Sequence, residues 1–262
     1  MNEGPIGIFD SGVGGTSIWK EIKKLLPNEN TIYLADSKNA PDGQKSQNEI
    51  LQLSIKNTDL LLSKGCKLIV VACNTATTNA IKQLRENYEV PFIGIEPAIK
   101  PAALKSNSKT VGVLATKGTL SSSLFHNTSE LHANGIKIIE QEGIGLVPLI
   151  EAGKVHSAET RELLEGFVKP MLQQGIDYLV LGCTHYPYLI PLLGEILPDH
   201  VKIIDSGEAV ARQTKAVLKN MDNLNKDVET DNNIFYTNTD TSILESFLRD
   251  IESPVEVNYL DF

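Results

Sequence analysis

The sequence predicts an α/β protein whose sheets are mainly parallel. Short, continuously apolar segments recur along the chain, and amphipathic segments long enough to form helices lie between them. A strand in a parallel sheet is covered by helices on both faces, so it appears in the sequence as an uninterrupted apolar run. The regular alternation of such runs with helical segments is typical of parallel α/β folds.

The predicted elements follow one another in chain order. The strands are the apolar, β-branched segments Pro5–Phe9, Thr31–Ala35, Lys67–Ala72, Pro91–Gly94, Thr110–Leu114, Ile136–Glu140, Tyr178–Leu181 and Val201–Ile204. The helices place apolar residues along one face and include Ile18–Leu26, Ile50–Ser63, Ala76–Arg85 and Glu159–Gln173. Met221–Asp231 is polar and rich in Asn and Asp, which predicts an exposed loop. Ile234–Leu248 reads as a strand and a helix, and we expect it to return to the first half of the fold.

The pattern of elements occurs twice. Ile6–Thr16 (IGIFDSGVGGT) is similar, more weakly, to Val111–Thr119 (VGVLATKGT). Leu68–Ala76 (LIVVACNTA) is matched by Tyr178–Tyr186 (YLVLGCTHY), at nearly the same separation. Two such half-domains facing each other would bring equivalent strand ends to one cleft. The alternative is that parallel strands resemble one another without being repeats.

A glycine-rich loop, Asp10–Gly15 (DSGVGG), follows the first predicted strand and leads into a helix. Free backbone N–H groups and the helix dipole favour an anion at such a place, and glycines allow it to approach closely. The spacing does not fit the GxGxxG pattern of dinucleotide-binding loops, so a carboxylate is a better candidate ligand than a pyrophosphate. The structural alternative is that Asp10 or Ser11 caps the helix.

Two of the three cysteines share one sequence context. Cys73 and Cys183 each follow a predicted strand and precede a predicted helix, whose N-terminus lowers a thiol pKa from its usual value of about 8.5. The residues that follow them can hydrogen-bond a ligand and are Asn74, Thr75, Thr184 and His185. A buried structural role is the alternative for either cysteine alone, but the repeated context favours a functional pair. Cys66 lacks this context and is interpreted as an ordinary small residue.

Composition, charge and cysteine spacing exclude several classes of protein. The 24 Lys and Arg against 33 Asp and Glu give a formal charge of −9, which argues against nucleic-acid binding. With 41% hydrophobic residues the chain is not expected to be disordered, and it has no apolar run of membrane-spanning length. The N-terminus lacks signal-peptide features. No CxxC pair is present, and an i, i+2 Cys–His pair does not match usual zinc spacing, so neither a metal site nor a redox pair is favoured.

The motifs IGIFDSGVGG, VACNTATT, VPLIEAG and LGCTHYPYL resemble those of glutamate racemases, within the aspartate/glutamate racemase superfamily. The resemblance covers essentially the whole chain. It implies two pseudo-symmetric, doubly wound α/β lobes with the active site in the cleft between them. The first lobe would comprise residues 1–97 and 207–262, and the second residues 98–206. It also implies a cytoplasmic, cofactor-independent isomerase and homodimer that supplies D-glutamate for peptidoglycan precursors, and so supports cell-wall biogenesis and cell shape, with no metal, nucleic-acid or membrane partner.

The resemblance further assigns roles to individual residues. Cys73 and Cys183 correspond to the two acid–base groups, Cys73 taking the proton from D-glutamate and Cys183 from L-glutamate. Asp10 and His185 correspond to residues that tune the thiols. The positions that correspond to substrate-binding residues are Asp10, Ser11, Pro41, Asp42, Gly43, Cys73, Asn74, Thr75, Cys183, Thr184 and His185. Asp36 and Glu151 correspond to further carboxylates near the site.

The chemistry of two thiols is consistent with this resemblance. Inversion at an α-carbon requires a base on one face and an acid on the other, so the resting enzyme would carry one thiolate and one thiol. The α-proton is weakly acidic, and the transition state must be stabilised by positioning and preorganised donors. The alternatives are an aspartate racemase and a non-catalytic protein that binds acidic metabolites, although simple binding would need neither thiol.

One position departs from the family. The chain has Pro41-Asp42-Gly43 where the family usually has Pro-Tyr-Gly. A second carboxylate about 6 Å from a substrate carboxylate would cost roughly 1–3 kcal/mol at an effective dielectric constant of about 20–40. The polar loop Asp36–Asn48 favours a side chain that turns partly outward. We therefore expect Asp42 to affect substrate affinity rather than the fold. If it faces the substrate, Asp42→Tyr or Asp42→Asn should lower KM, and if it points to solvent both variants should behave like the parent; we expect a partial effect.

Overall fold

The computed structural model describes residues 4–132, 135–225 and 231–262, and its strands form two parallel sheets. The strands are β1 (Ile6–Asp10), β2 (Thr31–Ala35), β3 (Leu68–Val71), β4 (Phe92–Gly94), β5 (Thr110–Ala115), β6 (Lys137–Glu142), β7 (Tyr178–Gly182), β8 (Lys202–Ile204), β9 (Asn233–Thr237) and β10 (Glu256–Tyr259). The first sheet has the order β10-β9-β2-β1-β3-β4 and the second β6-β5-β7-β8. The predicted α/β class with parallel sheets is confirmed.

Helices connect the strands in both halves of the chain. They are α1 (Thr16–Leu25), α2 (Gln47–Ser63), α3 (Asn74–Asn87), α4 (Ile99–Lys105), α5 (Lys117–Leu120), α6 (Ser123–His132), α7 (Leu146–Glu151), α8 (Ala158–Gln173), α9 (Ile190–Ile196), α10 (Gly207–Asn220) and α11 (Thr241–Leu248). Short 3-10 helices lie at Ser37–Asn39, Asp42–Gln44 and Tyr186–Leu189. The start of α2 follows from its sequence, because Ser46 and Glu49 form a reciprocal capping box.

The two sheets repeat one arrangement. The strands β2-β1-β3-β4 of the first sheet correspond, one for one and in the same order, to β6-β5-β7-β8 of the second. The register of the strand pairs agrees as well. Ile6 pairs with Leu68 and Val111 pairs with Tyr178, and each of these four residues is the first of its repeated segment. The strands β9 and β10 extend the first sheet beyond β2. The similar segments are therefore repeats of structure and not a chance likeness of strands.

Each sheet is covered by apolar side chains on both faces. In β3, Leu68 and Val70 belong to one buried cluster, whereas Ile69 and Val71 belong to another. Alternate residues of a strand point to opposite faces, so this division is what a sheet between two helical layers requires. Strand β7 is divided in the same way between two clusters of the second lobe.

Polar contacts tie the two lobes together beside α1. The Ser17 hydroxyl donates to the Thr184 carbonyl at 2.9 Å, and the Tyr188 and Thr16 hydroxyls share a short hydrogen bond. Tyr188 also packs edge-on against Phe247, with ring centroids 4.5 Å apart. No helix within the described residues is long and apolar enough to cross a membrane. Of the predicted loop Met221–Asp231, residues 226–230 lie outside the described residues.

Candidate active site

A cavity lies where strand ends of the two sheets meet. Its walls are Ser11, Pro41, Asp42, Gly43, Cys73, Asn74, Thr75, Thr116, Val147, Cys183, Thr184 and His185. It measures about 260 Å³ including its mouth, and it shares walls with a wider space of about 850 Å³ that leads outward. Carboxyl ends of parallel strands are where open α/β folds bind ligands. The cavity itself is narrow, since only about 10 Å³ of it is open to the centre of a water-sized molecule, so an amino acid would need its walls to move apart.

The internal repeat relates the walls of this cavity in pairs. Cys73 corresponds to Cys183 in the two matched motifs, and both are buried. The other corresponding pairs on the walls are Ser11 and Thr116, Asn74 and Thr184, and Thr75 and His185. Thr116 was not among the predicted site residues. The repeat could have identified it, because Thr116 occupies the position in Val111–Thr119 that Ser11 occupies in Ile6–Thr16. Two equivalent half-sites therefore face one cavity.

The first thiol caps a helix. Cys73 is the N-cap of α3, and its Sγ accepts a hydrogen bond from the Ala76 N–H at 3.4 Å and lies 3.7 Å from Ser11 Oγ. Burial raises the pKa of Cys73 well above its ordinary value, and the carboxylates of Asp10 and Asp42 add to this, against the Ala76 N–H. The prediction that the helix N-terminus lowers this pKa is therefore wrong, because desolvation of the thiolate outweighs one N–H group.

The second thiol lies beside a charged imidazole. Cys183 follows β7, and its Sγ is 3.7 Å from His185 Nδ1. The predicted helix after it is a 3-10 helix, Tyr186–Leu189, that leads into α9. Burial opposes the imidazolium, but the hydrogen bonds of His185 to Cys183 and Glu151 raise its pKa well above its ordinary value. The protonated form of His185 is therefore favoured, and its Nδ1 faces Cys183 Sγ.

Glu151 holds that imidazole in place from the second lobe. Its Oε1 lies 2.5 Å from His185 Nε2 and accepts a hydrogen bond from the Val13 N–H at 2.8 Å. Its Oε2 accepts one from the Ser37 hydroxyl at 3.0 Å. The glycine-rich loop does bind a carboxylate through its backbone, as its sequence indicates, but that carboxylate belongs to the protein. Sequence reasoning placed Glu151 near the site without finding this contact.

The glycines of the loop give these side chains room. A Cβ at Gly12 would lie 1.9 Å from Glu151 Oε1, and one at Gly14 would lie 2.3 Å from His185 Nδ1. Both distances are far below van der Waals contact. The loop sequence is therefore explained by the approach of the second lobe to the backbone.

Asp10 lies behind the wall rather than on it. Its carboxylate accepts hydrogen bonds from the Gly15 N–H at 2.8 Å and from Thr184 Oγ1 at 3.3 Å. Gly15, and neither Asp10 nor Ser11, is the N-cap of α1. Burial raises the pKa of Asp10 to about 6, against the opposing charge of His185. Its charge therefore changes near pH 6, and the charged form raises the pKa of Cys73 through space.

Asp36 anchors a loop and does not face the cavity. It is buried at the end of β2 and accepts hydrogen bonds from Lys56 Nζ at 2.9 Å, Asn39 Nδ2 at 2.8 Å and Asn238 Nδ2 at 2.6 Å. These contacts fix the start of the segment that carries Pro41-Asp42-Gly43 to the wall. Asp36 is a supporting carboxylate in this sense alone.

Asn74 presents unpaired polar atoms to the cavity. Its side chain is buried, and neither its Oδ1 nor its Nδ2 has a hydrogen-bond partner among the described residues. Buried amides are paired in most proteins, because an unpaired buried polar group costs about 1–3 kcal/mol. Such an amide on a cavity wall indicates a ligand that supplies both a donor and an acceptor.

The comparison with known families identifies the chain. Residues 6–214 match the model of the Asp/Glu/hydantoin racemase family. The chain belongs to this family. It is therefore an enzyme of the isomerase class, which confirms the resemblance seen in its motifs.

Individual racemases are similar over most of the chain. The glutamate racemase of Ectopseudomonas mendocina is 50% identical over 219 residues, which are 83% of each protein. The structure of Escherichia coli glutamate racemase in complex with L-glutamate and the activator UDP-MurNAc-ala has a TM-score of 0.86 at 34% identity and covers 98% of both chains. That of Francisella tularensis glutamate racemase in complex with D-glutamate has a TM-score of 0.84 at 28% identity, covering 99% of this chain and 98% of that one.

Gly14→Ala is expected to lower racemase kcat by about 10–100-fold, because displacing a catalytic group by roughly 1 Å has an effect of that size. The new methyl group would displace the imidazole of His185, whose Nδ1 lies 3.7 Å from Cys183 Sγ. Gly166→Ala is the matched control, since a Cβ there meets no atom within 4 Å and the residue lies inside α8. Steady-state kinetics and thermal unfolding of both variants decide the matter: an active Gly14→Ala enzyme with native stability would contradict the packing described.

Proposed function

We propose that the chain interconverts L-glutamate and D-glutamate by a two-base mechanism, with Cys73 and Cys183 as the bases. The observation that carries this proposal is that two buried thiols, related by the internal repeat, line one cavity. A non-catalytic binding protein would need neither. The similar racemases bound to L-glutamate or D-glutamate support glutamate as the substrate.

In each turnover one cysteine is a thiolate and the other a thiol. The thiolate takes the Cα proton from one face of the substrate, and the thiol delivers its own proton to the opposite face. The two sulfurs thereby exchange roles, and the next turnover of the same direction requires protons to be redistributed through solvent. Only protons are transferred and no oxidation state changes, so the reaction requires no redox partner. No cofactor or metal is part of the proposal.

The charges around the two sulfurs differ, which gives the resting enzyme a preferred state. Asp10 and Asp42 favour the neutral thiol on Cys73, whereas Cys183 Sγ lies 3.7 Å from the imidazole of His185. The resting enzyme is then prepared for the enantiomer that Cys183 deprotonates, which the family resemblance gives as L-glutamate. The polar groups available to hold the substrate are the hydroxyls of Ser11, Thr75, Thr116 and Thr184 and the amide of Asn74.

The finer biological assignment belongs to the same proposal. The enzyme would act in the cytoplasm as a homodimer and supply D-glutamate for peptidoglycan precursors, and so for cell-wall biogenesis and cell shape. Its lobes would comprise residues 1–97 with 207–262, and residues 98–206. The strands β9 and β10 in the first sheet support this division.

Circular dichroism of enantiopure amino-acid solutions tests the substrate. The purified enzyme is expected to abolish the signal of L-glutamate and of D-glutamate, and to leave L-aspartate unchanged. Loss of the aspartate signal alone would make the protein an aspartate racemase. Tight binding of either amino acid without any loss of signal would make it a binding protein.

The same reactions in deuterated water test the two-base step. Each product enantiomer is expected to carry solvent deuterium at Cα from its first appearance, because the delivering thiol exchanges with solvent. Substrates deuterated at Cα are expected to show a separate isotope effect in each direction. Intact transfer of the substrate's own proton to the product would instead indicate a single base.

A further inference from the structure

Asp42 is fixed on the cavity wall. The side chain is only 8% exposed, so the expectation that it turns outward is wrong. The reason lies in the next residue: a Cβ at Gly43 would meet Thr116 Cβ at 2.8 Å, so the backbone of this segment is packed against the second lobe. The carboxyl group of Asp42 is therefore held between the lobes, where the family usually has a tyrosine.

The carboxyl group of Asp42 is poorly compensated. Its Oδ1 is buried and accepts no hydrogen bond from the described residues. The nearest cation is Lys45 Nζ at 3.5 Å, longer than a charge-assisted hydrogen bond. Lys45 Nζ already donates to the carbonyls of Asn39 and Pro41. The carboxyl group of Asp42, on the cavity wall, therefore has one oxygen that receives only a weak contact from Lys45.

The charges that face Asp42 favour its neutral form. Asp36 on its own segment, Asp10 at the end of β1 and the Cys73 sulfur at the start of α3 oppose a negative charge. Lys45 and His185, which lies in the second lobe, favour the charged form of Asp42. However, His185 is already hydrogen-bonded to Glu151. Lys117, on the neighbouring α5, is exposed. Burial raises the pKa of Asp42 to about 6, against the attraction of Lys45.

Glutamate adds two carboxylates and one ammonium group to this cavity, and so a net negative charge. No lysine or arginine is among its described wall residues, and the single imidazole there is paired with Glu151. Two carboxyl groups that share a site cannot both be ionised cheaply, and the cation nearest to Asp42, Lys45, lies off the wall at 3.5 Å, so one of the two carboxyl groups takes a proton. Asp42 is the wall residue placed to hold it.

We propose that Asp42 is a substrate-binding residue that acts in its protonated form, donating a hydrogen bond to a carboxylate of the substrate. Binding then takes up one proton from solvent. The family's usual tyrosine also offers a hydroxyl donor, but one that is protonated at every physiological pH. The acidic replacement would therefore make substrate affinity depend on pH. This inference rests on the proposed function, since it needs a dicarboxylic substrate.

The pH dependence of KM tests the proposal. For the native enzyme, KM for D-glutamate and L-glutamate is expected to rise about tenfold per pH unit above pH 6, because only the protonated fraction binds well. In Asp42→Asn, KM should be nearly flat from pH 6 to pH 8.5 and about 10–100-fold below the native value at pH 8. Asp261→Asn is the control, because it removes an exposed carboxylate paired with Lys38 and should keep the native profile.

Proton uptake gives a second, direct readout. Titration calorimetry at pH 7.5, in buffers of different ionisation enthalpy, should show about one proton taken up per bound D-glutamate in the native enzyme and nearly none in Asp42→Asn. Turnover adds no heat, since enantiomers have equal enthalpies.

A higher KM for Asp42→Asn at pH 8 would overturn the proposal and make Asp42 the ionised partner of the substrate ammonium. Identical profiles for both enzymes would overturn it too, whereas a native enzyme without glutamate racemisation would refute the proposed function instead.

Discussion

Replacing either Cys73 or Cys183 by alanine is expected to abolish racemisation, with a loss of about 10⁴-fold or more in kcat. Each thiol serves one face of the substrate, so neither can replace the other. The fold should survive, because removing one small buried side chain costs about 1 kcal/mol. Circular dichroism of the amino acid gives the rate, and that of the protein gives the fold.

Cys66→Ala is the matched control for these variants. Cys66 is also buried, but it lies in an apolar cluster of the first lobe and not on the cavity wall. Its loss should reduce stability by a similar amount and leave kcat unchanged. Racemisation at the native rate in Cys73→Ala or Cys183→Ala would refute the two-base mechanism.

The single-cysteine variants also test which thiol serves which enantiomer. Removing a proton from one face requires only the base on that face. Cys183→Ala should therefore still exchange the Cα proton of D-glutamate with deuterated water, without inverting it, and leave L-glutamate unlabelled. Cys73→Ala should show the opposite preference. Exchange of the wrong enantiomer would reverse the assignment while leaving the two-base mechanism intact.

Local patterns were sufficient to predict the elements that place the thiols. A strand in a parallel sheet is apolar throughout, so β3 and β7 can be recognised from their sequences. The positions of Cys73 and Cys183, just beyond the ends of these strands, can then be predicted too. The edge strand β10 was not predicted, because its side chains are half-buried or exposed and its sequence lacks an apolar run. The repeat could also have yielded Thr116, since that residue corresponds to Ser11.

Contacts between distant segments account for what sequence reasoning missed. The Val13 N–H meets a carboxylate 138 residues away, and no local pattern shows that Glu151 reaches it. The orientation of Asp42 depends in the same way on Thr116 of the other lobe. The thiol pKa of Cys73 depends on burial, which a helix N-terminus in the sequence does not reveal.

His185→Asn is expected to lower kcat/KM by about 10²–10³-fold, within the range seen when an acid–base partner is lost. The imidazole can carry a positive charge 3.7 Å from Cys183 Sγ, where the proposed mechanism places negative charge, and asparagine cannot. The two enantiomers have equal free energies, so the equilibrium constant is one, and kcat/KM must fall equally in both directions. A fall in one direction only would show that the measurement is not reporting racemisation.

Glu151→Gln tests how that charge is maintained. The glutamine Oε1 can still accept the Val13 N–H, so the loop contact remains, but the neutral amide no longer stabilises the imidazolium. The pKa of His185, which Glu151 helps to raise against burial, should therefore fall. His185 is charged below its pKa and loses the charge as pH rises through it. The alkaline decline of kcat should consequently move to lower pH in the variant.

The pH profile separates this role from a structural one. At pH 8, Glu151→Gln should be about 10–100-fold slower than the native enzyme, and the gap should narrow as pH is lowered and His185 becomes charged in both enzymes. Glu195→Gln, which removes an exposed carboxylate paired with Arg161, should keep the native profile. A loss of activity in Glu151→Gln that is the same at every pH would mean that Glu151 only holds the loop, because a purely structural defect has no reason to follow the charge of His185.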